Sequence, residues 1–185
     1  VTGEPRHRGA GMLETVAAAM RCDEPSYGPE VPEELAAILT RACARDPDAR
    51  FQSVNALRDA LLQFREQRAA SLLVTTARAR LTQLTALARD PAQADYGRAQ
   101  ALFTETRFAF QQAREVWAEH PEARAGLSEA IAQMVRFELA LDHVDAAQAL
   151  FESLPEQANE HAPLRELLDG RRRENHERAS RALVL

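Results

Sequence analysis

The chain has no lysine: all 23 of its basic residues are arginine. Arginine used this way fits a GC-rich coding sequence. Glycine is scarce, with 7 in 185 residues, and aromatic residues make up only 5%. β-branched clusters are rare as well. These shortages argue against a sheet protein, because strands draw on β-branched and aromatic residues and their turns on glycine. No apolar run approaches the roughly 18 residues that span a bilayer, so no membrane segment is expected, and no signal peptide is visible. The lone cysteines, Cys22 and Cys43, suit a reducing cytosol better than secretion, so the predicted location is cytoplasmic. They read as small apolar residues rather than nucleophiles. The net charge is −5 with acids and arginines interspersed, which argues against nucleic acid as the main partner.

What is present is alanine and leucine, which supply most of a 45% hydrophobic content. Both favour helices, and the predicted fold class is all-α. The length allows one or two domains with a real core. Two amphipathic helices around a tight polar connection organise the chain over residues 32–64. Pro32 suits a first helical position, and Glu33 and Glu34 complement the helix dipole. Leu35, Ile38, Leu39 and Ala42 then recur on one face. The helix stops before Pro47, and Ser53 can cap its successor, whose apolar face is Val54, Leu57, Leu61 and Phe64.

Further helices follow from the same reasoning. Residues 12–21 form a short one with Leu13, Val16 and Met20 on one face. The helix begun near residue 53 meets no Gly or Pro until Pro91. It is predicted as one long helix over about 53–89, with Leu72, Leu73, Ala77, Leu81, Leu84, Leu87 and Ala88 at helical spacing. Asp95 can cap a helix from Tyr96 to about Glu119, with Ala99, Leu102, Phe103, Thr106, Phe110, Ala113 and Trp117 inward. Pro121 opens the next, with Leu127, Ile131, Met134, Val135, Leu139 and Leu141 inward. A break near Asp142 leads to a short helix over 144–153, and a last helix covers about 164–182.

Val31-Pro32-Glu33-Glu34-Leu35, Ile38, the run Ala44-Arg45-Asp46-Pro47-Asp48-Ala49-Arg50-Phe51, then Ser53, Leu57 and Leu61 resemble the end of a bacterial-type Ser/Thr protein kinase catalytic domain. Upstream, Val1-Thr2-Gly3-Glu4-Pro5, His7, Arg8 and Gly9 are similar to the run that closes the central helix of that domain's C-lobe. The resemblance covers residues 1–65. It implies that Asp46, Pro47 and Arg50 are structural residues, with Arg50 corresponding to the arginine that pairs with the glutamate of the A-P-E motif. It further implies a parent that uses ATP and Mg²⁺. The glycine-rich loop, the ATP-anchoring lysine, H-R-D, D-F-G and A-P-E are absent from this sequence. Gly9 and Gly11 are no phosphate loop, since no strand pattern precedes them. Phosphoryl transfer in this family needs the lysine and two metal-binding side chains. No catalytic, cofactor-binding or metal-binding residue is therefore assigned. A start at Val1 rather than methionine fits a fragment, whose partners would include the upstream kinase part of the same chain.

Pro121-Glu122-Ala123, Leu127, Asp145-Ala146-Ala147 and Phe151 resemble a tetratricopeptide helical hairpin, although its first helix would be about two turns too long. The expected organisation is a partial kinase C-lobe at 1–65, a helical linker at 66–94 and a tetratricopeptide-like module at 95–185. Stacked hairpins leave grooves that bind protein partners, and Arg124, Ser128, Gln133 and Arg136 are the candidate docking residues.

Other polar residues have plainer readings. His7, His120, His143, His161 and His176 show no zinc-ligand spacing. Glu105, Glu115 and Glu119 suit helix-face pairs with arginine, as does the cluster Arg171-Arg172-Arg173 with its neighbouring acids. Two functions from different classes stand. One is a C-terminal kinase fragment whose helices serve regulation or docking; the other is a free-standing helical adaptor without catalysis.

Overall fold

A computed structural model of the chain describes residues 3, 7, 9–21, 23 and 25–182, the side chains of 181 and 182 excepted. The described residues include seven α-helices and one 3-10 turn and no strand, so the fold is all-α. The chain divides into two compact units, Val1–Glu66 and Gln67–Leu185. None of the described helices is long and apolar enough to cross a membrane.

The first unit holds α1 (Met12–Arg21), α2 (Glu33–Ala42) and the 3-10 turn Pro47–Ala49. It also holds the start of α3 (Val54–Leu87). At the entry to α1 the Glu14 carboxylate accepts from the Ala10 backbone N–H at 2.6 Å. Pro32 lies one position outside α2 rather than at its first residue, a shift of the size common at helix ends. Neither α1 nor α2 buries a residue. The stripe Leu35, Ile38, Leu39 and Ala42 is half-buried, whereas Leu13 of α1 is 87% exposed. The expected apolar face of α1 therefore exists as a face and is left uncovered. Of residues 1–9, only Gly3, His7 and Gly9 are described, so most of that kinase-like run lies outside the described residues, as does Cys22.

α3 is continuous, as its lack of Gly and Pro predicts. Its second half belongs to the second unit, where Ala70, Val74, Ala77, Leu81 and Leu84 are buried in the core. The stretch expected as a helical linker, 66–94, thus contributes these five residues to the core of the second unit. The alternating spacing of four and three puts these five residues on one stripe. Leu72 lies off that stripe and is 61% exposed, against the expectation.

The rest of the second unit is α4 (Tyr96–Val116), α5 (Pro121–Ala140), α6 (Val144–Phe151) and α7 (His161–Ala182). α4 packs on α5, α5 on α6, α6 on α7, and α7 returns to α5. Asp95 caps α4 by accepting from the Arg98 N–H at 3.1 Å. All the residues expected inward on α4 are buried except Trp117, which is half-buried. Pro163 sits in the first turn of α7, where its missing N–H has no helical partner to lose. α5 is the central helix: eleven of its twenty residues are buried, and they lie on more than one face.

Candidate functional site

The kinase-like run folds into a turn that closes on itself. The Asp46 carboxylate accepts from the Asp48 N–H at 3.0 Å. Pro47 then starts the 3-10 turn with its fixed φ. Arg50 donates through Nε to the Ala44 carbonyl at 2.7 Å and through Nη2 to the Arg45 carbonyl at 3.4 Å. Carbonyls at a helix's end lack intrahelical donors, and the guanidinium, with its fixed fork of donors, supplies them here. The Gln52 amide donates to the carbonyls of Pro47, Asp48 and Arg50. The Arg41 guanidinium lies 4.4 Å from the centre of the Phe51 ring, a cation–π contact. Ser53 caps α3 by accepting from the Ala56 N–H at 3.0 Å. Asp46, Pro47 and Arg50 are therefore brought together, and all three are exposed. The partners of Arg50 are backbone oxygens rather than a carboxylate. In the same unit a cleft of about 690 Å³ is lined by Val31, Ala37, Thr40, half-buried Cys43 and Ala44.

The four docking candidates on α5 do not share one groove. Arg124 and Ser128 line a cleft of about 390 Å³ against the connection between α6 and α7. Arg136 lines a different one, of about 330 Å³, against α7. Gln133 is half-buried and lies on the stripe Glu122, Ala125, Glu129 and Arg136 at helical spacing. Part of that stripe is already engaged, since Arg78 of α3 pairs with both Glu122 and Glu129. Arg80 likewise pairs with Glu105 of α4 at 2.8 Å. These pairs are half-exposed and contribute little stability each.

One polar site was not anticipated. Glu138 is fully buried, with 0% exposure. Its Oε1 accepts from the Tyr96 hydroxyl at 3.0 Å and from the Gln100 amide at 2.8 Å. Its Oε2 lies 2.8 Å from His143 Nδ1. The backbone closes the same corner. The His143 N–H donates to the Glu138 carbonyl at 2.9 Å, and the Asp142 N–H to that of Leu139 at 3.2 Å. Asp142 sits at φ 63° between them. This is a helix end with its left-handed residue at 142, where a side-chain pair replaces the usual apolar contact. The signal in the sequence is positional: Glu138 falls on the inner stripe after Ile131, Met134 and Val135, where the period calls for an apolar residue.

His120 shows a similar economy. Its Nδ1 accepts from the Glu122 N–H at 3.2 Å, which places its proton on Nε2, 3.3 Å from the Ser71 hydroxyl. Ser71 in turn donates to the Gln67 carbonyl. The Trp117 ring meets the His120 ring edge-on at 4.8 Å.

No family model, no curated protein and no solved structure matches the chain.

Proposed function

We propose that this chain is the distal end of a bacterial-type Ser/Thr protein kinase domain followed by a helical module for regulation or protein docking. The observation that carries the reading is the turn from Ala44 to Ser53. The residues that resemble the family motif, Asp46, Pro47, Arg50, Phe51 and Ser53, each have a defined local partner there. The uncovered face of Leu13, Val16 and Met20 supports it, since an apolar helix face left open suits a unit whose cover lies elsewhere. ATP and Mg²⁺ do not fit the residues present. There is no lysine to anchor phosphate, and no group of three potential metal ligands occurs among the described residues. Nucleotide chemistry then belongs to the parent, in a cytoplasmic part of it, and this segment contributes fold and docking.

The deciding test is the coding DNA upstream of Val1. An open frame carrying H-R-D and D-F-G supports the kinase reading, and a start codon close to Val1 overturns it. The purified chain is also expected to show no change of melting temperature in millimolar ATP–Mg²⁺, because only a ligand that binds the folded state raises it. A rise of several degrees contradicts the assignment. The second reading, a free-standing helical adaptor, is favoured by one observation: Gln67–Leu185 holds the whole buried core cluster.

A further inference from the structure

The cleft between the first half of α5 and the α6–α7 connection supports an inference that stands apart from the kinase reading. Ser128 lines it and is only 8% exposed, yet its hydroxyl has no hydrogen-bond partner among the described residues. Thr106 of α4 also lacks a partner, but several other hydroxyls in these helices do not. Ser71, Thr75, Thr76, Thr82 and Thr104 each donate to the carbonyl four residues back. The Ser128 oxygen is not among the fully buried polar atoms that lack a partner, so it opens into the cleft, where a bound group can meet it. Arg124, one turn before Ser128, lines the same cleft, and so does Glu160 at the entry to α7. Neither forms an ion pair with the other or with any other described residue. Gln157 and Asn159 add two side-chain amides. The space, about 390 Å³, has the size of a small-molecule site.

One cation and one anion that face a common space without meeting complement a molecule carrying both charges. We propose that this cleft binds a small zwitterion of the α-amino acid class. Its carboxylate lies on Arg124 and Ser128, and its ammonium on Glu160. The guanidinium fork suits a carboxylate, and the Ser128 hydroxyl gains its missing acceptor.

The test is calorimetric titration of the full chain with glycine, glutamine, N-acetylglycine and acetate. Saturable binding of glycine or glutamine is expected, with acetate and N-acetylglycine silent because they lack the ammonium. Arg124→Ala and Glu160→Gln are each expected to weaken binding by about tenfold or more, and Ser128→Ala by less. Arg107→Ala, on exposed α4 surface, is expected to change nothing. Circular dichroism of each variant confirms folding. No binding of either amino acid at millimolar concentration overturns the proposal. So does equal binding of acetate, which would mark an anion site only, or affinity unchanged in Arg124→Ala. Since Val1–Glu66 supplies no residue to this cleft, the outcome leaves the kinase reading as it was.

Discussion

Gly126 sits inside α5, where glycine ordinarily weakens a helix by about 1 kcal/mol relative to alanine. A methyl group there would come within 2.3 Å of the Phe110 ring, which is itself fully buried. The ring has nowhere to move, so overpacking wins. Gly126→Ala is expected to lower stability by about 1–3 kcal/mol in denaturant unfolding. Gly170 of α7 is the contrast: a Cβ there meets nothing within 4 Å. Gly170→Ala is expected to stabilise by roughly 0.5–1 kcal/mol, and opposite signs for the two substitutions are the check. Two buried oxygens make a second pair. Thr106 Oγ1 is buried with no partner, so Thr106→Val is expected to be neutral or slightly stabilising. Glu138→Ala leaves the Tyr96, Gln100 and His143 donors without their acceptor and is expected to cost about 3 kcal/mol. Equal melting temperatures for those two variants would contradict the account. Such residues mark the limit of reading the sequence. The space at Gly126 depends on Phe110 of another helix, and no local pattern shows it. Glu138 was visible only as a charge on an apolar stripe.

Elements were far more legible than contacts, because their ends are set by neighbours in sequence. Ser53 and Asp95 cap the helices they were expected to cap, and Pro121 opens α5. The break at Asp142 leads into α6 as the spacing predicts. Which side of α3 faces inward was less legible. Leucine and alanine are spread around it, so Leu72 and Val74 compete for the inner stripe, and only packing chooses Val74. The docking set on α5 is divided between two clefts for a related reason: polar residues on one helix need not share a face. At this scale the turn after α2 offers its own test. Arg50→Ala removes the donors to the Ala44 and Arg45 carbonyls. Faster hydrogen exchange is expected through α2 and the start of α3, with exchange in α4 and α5 unchanged. Slowed or equal exchange in α2 would show that the guanidinium does not hold the turn.

The molecule is uneven as a whole. The first unit buries none of its described residues, while the second has a continuous apolar core. Hydrogen exchange is therefore expected to show residues 96–155 better protected than residues 1–50, by a factor that grows with the apolar area left wet, at roughly 25 cal/mol per Å². Equal protection would mean that the first unit is stabilised in some other way. Trp117, the chain's single tryptophan, gives this contrast an optical form. It lies half-buried between α4 and α5 with its ring against His120, whose other side meets Ser71 of α3. Indole emission shifts to longer wavelength as water reaches the ring, so fluorescence during heating reports the junction of three helices in the second unit. Far-ultraviolet dichroism sums every helix of both units. If the first unit melts earlier, the dichroism signal falls while the emission colour holds still, and the two melting curves separate. The protein thus carries its own dye on the half that holds the core, and unmodified chains suffice to time one half against the other.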